Sequence, residues 1–210
     1  MKDDYLALAY SESIDDGLDQ STYLATMDSN QMTSNKLYCL TMDRDYQSFD
    51  DITLTDTALY TSQIKDDSEG IYQIRKYNTE GNVDDSFFDS GVMIYNTDIY
   101  NTKFIVSEEK EIYIVSTSLE NENEIMIKKL LRYGAVDTSF GIDGSASVFL
   151  KYPIEDLSKM QLDEKHRLYI SGSMRVEGEP YGFITRLKLN ELQLKQEKLE
   201  KFINELFKKE

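Results

Sequence analysis

Acidic side chains are the most abundant chemistry-bearing groups in this 210-residue chain, with 39 Asp and Glu against 23 Lys and Arg and a net charge of −16. Asp84, Asp85 and Asp89 fall in one loop, and Asp137 and Asp143 in a second, related one. Grouped oxygen donors are what Ca²⁺ takes, so Asp84, Asp89, Asp137 and Asp143 are candidate calcium ligands, although their spacing is not that of an EF-hand. Carboxylate pairs also serve glycoside hydrolysis, but among so many acids no pair stands out. The 15 Tyr are candidates for a sugar-binding face, weighed against the packing role that strand positions favour. His166 is the only histidine, and Asp163-Glu164-Lys165-His166-Arg167 reads as a hairpin turn rather than the setting of a catalytic base. Cys39 is the only cysteine, which excludes an internal disulfide and a Cys/His zinc site. No nucleophile elbow, Walker A or dinucleotide glycine pattern is present. No catalytic residue and no cofactor is assigned.

The charge balance also restricts partners. A net charge of −16 argues against a nucleic-acid binder, which needs a basic face to displace counterions. It disfavours anionic membranes as well. No apolar run reaches the roughly 20 residues of a membrane span. Met1-Lys2-Asp3-Asp4-Tyr5 puts acids where a signal peptide has basic residues, so no export signal is expected in this chain.

The elements that position these loops repeat. Ile71–Tyr77 is followed by Gly81-Asn82-Val83-Asp84-Asp85-Ser86-Phe87 and Gly91. Ile127–Leu130 is followed by Gly134-Ala135-Val136-Asp137-Thr138-Ser139-Phe140 and Gly144, at a constant offset, 134 − 81 = 53 and 140 − 87 = 53. Leu59-Tyr60 and Ile112-Tyr113 keep the same offset. A third copy begins with Leu168–Ser173 and Phe183–Leu187 and then loses the motif, and a fainter one precedes, at Tyr5–Tyr10 and Tyr23–Met27. Within a unit, Lys103–Val106, Glu111–Ser118, Ile125–Leu131 and Ser145–Leu150 read as four short antiparallel strands between turn-prone clusters. Four strands in about 53 residues is the content of one propeller blade.

The pattern Gly-x-Val-Asp-x-Ser-Phe-Gly-x-x-Gly, best matched by Val136–Gly144, resembles the delta-60 repeat of a β-propeller-like family. Phe88 departs from it, standing where the repeat has Gly. The resemblance implies a propeller-type fold and a place in bacterial surface or phage structural proteins, and it carries no catalytic signature. The motif reads as structural. Gly81 and Gly134 supply positive φ in a turn, Asp84 and Asp137 bond backbone N–H groups, and Phe87 and Phe140 plug the gap between adjacent blades. Gly144 completes the repeated set.

The expected fold is therefore all-β, with four-stranded antiparallel blades of propeller type, about 3.5 units of 53 residues over 1–187. The units are placed near 1–54, 55–106, 107–160 and, in part, 161–187. Residues 188–210 are expected to form a C-terminal amphipathic helix, free of Gly and Pro. Its apolar face carries Leu192, Leu199, Phe202, Ile203 and Leu206. The function this predicts is a non-enzymatic interaction module, whose protein partner or self-association completes the ring. A glycan-binding or glycan-cleaving propeller using Tyr and Asp is the alternative.

Overall fold

The computed structural model describes residues 5–14, 19–28, 33–40, 46–65, 71–78, 81–96, 99–118 and 120–189, with side chains in 51–63, 71–78, 81–95, 101–118 and 120–189. The chain is all-β from Tyr5 to Lys188 in these residues, Leu189 alone being helical, and every strand pairing between its sheet neighbours is antiparallel. It divides into two compact units, residues 1–97 and 98–210.

In the first unit, β1 (Tyr5–Ile14), β2 (Asp19–Asp28) and β3 (Thr33–Leu40) form sheet 1. Sheet 2 holds β4 (Tyr46–Leu54), β5 (Ala58–Lys65), β6 (Ile71–Asn78) and β7 (Val92–Asn96), in chain order. In the second unit, sheet 3 holds β8 (Ile99–Val106), β9 (Ile112–Ser118), β10 (Glu124–Leu130) and β11 (Ser145–Phe149). Sheet 4 holds β12 (Ile154–Leu162), β13 (Arg167–Val176) and β14 (Glu179–Lys188).

Each sheet is a meander because its connections are tight. Glu177 and Gly178, at φ +53° and +91°, form a two-residue turn that sets Val176 opposite Glu179 and fixes the β13–β14 register. His166, at φ +53°, closes the turn from β12 to β13, where Asp163 accepts from the Lys165 and Arg167 backbone N–H groups. Strand β9 is rich in β-branched residues and buried on both faces from Ile112 to Thr117. One face of sheet 3, with Val115, Ile125, Ile127 and Ala146, packs on Ile154, Leu157, Met160, Leu168, Ile170 and Leu187 of sheet 4. The second unit is thus two sheets sharing one apolar core.

The strand content of sheets 2 and 3 is that of the repeat, but its phase differs from the sequence boundaries. The first strand of sheet 2 starts at Tyr46 rather than near 55, that of sheet 3 at Ile99 rather than 107, and that of sheet 4 at Ile154 rather than 161. A period fixes spacing and not where a unit begins, and the first strand of each sheet lies outside the repeated motif. Lys188 is a strand residue opposite Arg167, not the head of a helix. The helix expected beyond it, with Leu192, Leu199, Phe202, Ile203 and Leu206, lies outside the described residues.

Candidate functional site

The repeated motif forms a clip on the end of each four-stranded sheet. In sheet 3, Val136 bridges to Leu130 at the end of β10, and the Asp137 N–H donates to the Lys129 carbonyl at 2.9 Å. The carboxylate then serves both sides. Its Oδ1 accepts from the Ser139 N–H at 3.1 Å and the Ser139 hydroxyl at 2.5 Å, and its Oδ2 takes the Lys129 Nζ at 3.0 Å. Lys129 also reaches Glu111 at 2.7 Å, and its ammonium sits 5.9 Å from the Tyr113 ring centroid. The Tyr113 hydroxyl donates to Glu111 at 2.9 Å. Phe140 meets the Tyr113 ring edge-on, at 6.2 Å and 79°, inside the core shared by sheets 3 and 4.

Sheet 2 carries the same clip. Asp84 accepts from the Ser86 N–H at 3.1 Å and the Ser86 hydroxyl at 2.5 Å, and pairs with Lys76 at 2.7 Å. Phe87 is fully buried against Tyr60, at 5.9 Å and 84°. Ala58 stands where sheet 3 has Glu111, so the first copy lacks that ion pair. Gly81 and Gly134 have φ +85° and +90°, a conformation that needs no Cβ. Gly144, at φ +82°, is crowded too. A Cβ there would stand 2.2 Å from Val136 Cγ1 and 3.1 Å from the Asp137 carbonyl oxygen. Gly144→Ala is expected to lower stability by about 1–3 kcal/mol, read as a shift in the denaturant midpoint.

These contacts engage both oxygens of Asp84 and of Asp137, two of the candidate calcium ligands. Asp89 meets the Ser90 hydroxyl at 3.3 Å, and Asp143 is an exposed turn residue at φ +50°. Among the described residues no three His, Cys, Asp or Glu side chains are placed together for a metal ion. His166 lies 3.7 Å from Glu109 on the partly exposed hairpin. The residues that sequence reasoning passed over are the cations Lys76 and Lys129, with Glu111. Their signal was available, since 129 − 76 = 53 puts both lysines on the repeat offset.

The electrostatics follow from the clips. The Asp84 carboxyl is held below its ordinary value by Lys76 and Ser86. Burial pulls Asp137 upward, but Ser139 and Lys129 outweigh it and the net direction is down. The Tyr60 hydroxyl is pushed up to about 12 by burial and by Asp84. Tyr113 rises as well, through burial and the Glu111 charge. A carboxylate with a depressed folded pKa stabilises above its unfolded value, about 3.9, and loses that contribution as pH falls through the folded value. Acid unfolding of the wild type is therefore expected to steepen below about pH 4. Asp137→Asn should flatten that limb while lowering the midpoint at neutral pH, both measurable by denaturant titration across pH.

No family model and no curated protein matches the chain. Among solved structures it is similar to the crystal structure of a subtype N11 neuraminidase-like protein of A/flat-faced bat/Peru/033/2010 (H18N11), with a TM-score of 0.48 and 10% identity over 87% of this chain. The chain spans 57% of that protein's length.

Proposed function

We propose that the chain is a non-enzymatic β-repeat module of propeller type, a scaffold for protein–protein assembly. The observation that carries this is the placement of its exposed apolar side chains. Ile94 lies on β7, Phe149 on β11, and Tyr181 and Ile184 on β14, each more than half exposed, and these strands are the last of three successive sheets. Large apolar groups in water on terminal strands mark contact surfaces. The repeated polar residues, by contrast, are spent inside the clips.

In this reading a protein partner or a second copy of the chain completes the propeller-type arrangement. The glycan alternative draws on tyrosines of which Tyr60, Tyr72, Tyr77 and Tyr113 are buried. Sedimentation equilibrium and cross-linking of the full chain test the proposal. Assembly above the monomer mass, or a stoichiometric cross-linked protein partner, is the expected result. A strict monomer without a partner, or glycan turnover lost on substituting clustered loop acids, would overturn it.

A further inference from the structure

Three sheets place a Tyr, an Ile and a cation at one position on one face. Ile127 and Lys129 oppose Val115 and Tyr113 in sheet 3, Ile74 and Lys76 oppose Ser62 and Tyr60 in sheet 2, and Ile184 and Arg186 oppose Ser171 and Tyr169 in sheet 4. Directly opposed residues share a face, so the three sets are equivalent.

In the first two sheets the place is filled. Ile74 and Ile127 are fully buried, Phe87 or Phe140 lies edge-on to the tyrosine, and Asp84 or Asp137 holds the lysine. In sheet 4 no motif residue among the described residues fills the place. Ile184 is 79% exposed, Arg186 is exposed with no ion-pair partner among the described residues, and no Asp-x-Ser-Phe follows β14 in the sequence. Tyr169 is half-buried, with the Arg167 guanidinium 5.9 Å from its ring and its hydroxyl donating to Asp163 at 3.5 Å.

We propose that this face of sheet 4 docks a partner protein through an acidic-aromatic turn. A carboxylate three residues ahead of a phenylalanine sits on Arg186, and the ring sits at Tyr169 and Ile184. The inference rests on the interaction-module reading and names its surface and ligand. Charge selects the occupant, because a free guanidinium takes a carboxylate in a two-pronged, charge-assisted bond. The spacing comes from the chain itself, since Asp84 precedes Phe87 and Asp137 precedes Phe140 in the two filled places. A second copy is the weaker occupant, because its clips are already engaged in its own sheets.

A labelled synthetic peptide of residues 134–144, titrated with the full chain and read by fluorescence anisotropy, is the test. Saturable binding is expected. It should weaken about tenfold or more with Arg186→Glu in the chain or Asp137→Asn in the peptide. It should recover in part when the Arg186→Glu chain meets a peptide carrying Asp137→Lys. Arg186→Glu is exposed, so an unchanged melting temperature serves as its folding control. Absent binding, or binding indifferent to Arg186→Glu, overturns the proposal. So does binding that appears only in a full chain carrying Leu199→Asp and Phe202→Asp, which would assign the seat to the chain's own C-terminal segment. A cross-linked partner that persists with Arg186→Glu would remove this surface and leave the interaction-module reading standing.

Discussion

Replacing Phe140 by alanine is expected to destabilise the chain by about 3–5 kcal/mol, the range for deleting a buried phenylalanine ring. The ring is 2% exposed and belongs to the core that joins sheets 3 and 4. Nothing small can take its place there. Its edge contact with Tyr113 is lost, and the cavity opens in the core that also holds Val115, Ile127 and Leu168. Tyr113 is also the ring under the Lys129 ammonium, so the clip keeps its floor but loses the ring that packs against it. Phe87→Ala should act in the same direction in the first unit, where Phe87 is fully buried on Tyr60. Phe88 is the control, being 55% exposed one residue further on, and Phe88→Ala should stay within about 0.5 kcal/mol of wild type. Chemical denaturation of the three variants decides the matter. If Phe140→Ala and Phe88→Ala unfold at the same midpoint, the ring is not part of the core.

The position of those rings was legible in the sequence because the motif repeats in fixed register. A Phe at both 87 and 140 obeys a constraint that recurs with the sheet. The strands of the second unit could be read for the same reason, since Ile112–Val115 combines β-branched residues with an aromatic and Ile125–Leu130 alternates. The first strand of sheet 3 was legible at Lys103–Val106, but the unit boundaries placed near 55, 107 and 161 cut off the first strand of each sheet. The first strand of each is polar or interrupted, as in Ile154–Leu162, whose pairing to β13 shifts register twice. Such shifts erase the two-residue alternation that announces a strand. The lysines of the clip keep the 53-residue offset, but nothing in the sequence gives them a role. Only their placement over Tyr60 and Tyr113 reveals the role. The turn role of the two repeated acids was legible, since Asp84 and Asp137 each accept a backbone N–H two residues on. What the sequence did not show is the second half of the clip, in which each carboxylate also holds its own Ser hydroxyl and Lys.

Gly172→Ala is the second large effect, and it arises from steric closeness alone. Gly172 sits mid-strand in β13, opposite Leu157 on one side and Phe183 on the other. Its φ is not in the left-handed region, so alanine meets no conformational penalty there. The obstacle is the β12 backbone. A Cβ at this position would stand 2.0 Å from the Asp156 carbonyl oxygen and 2.9 Å from Phe183 Cε1. The Phe183 ring can swing aside, whereas the carbonyl belongs to the bulged stretch of β12 between Ile154 and Lys159 and moves only with the strand. The register shifts bring that oxygen close, so the glycine and the bulge are one device. Alanine must push β12 off β13, which separates Leu157 and Met160 from the core they share with Ile127 and Phe140. A loss of about 3 kcal/mol or more is expected, among the larger effects a single methyl can have. Gly182 gives the comparison within the same sheet, because the nearest atom to a Cβ there is 4.0 Å away. Gly182→Ala should be neutral or stabilise by a few tenths of a kcal/mol, through the reduced freedom of the unfolded chain. Hydrogen exchange of the β12 and β13 amides in both variants locates the damage. Fast exchange confined to sheet 4 in Gly172→Ala is the expected pattern, and equal protection in the two variants would mean that β12 does not approach Gly172 as closely as its carbonyl position requires.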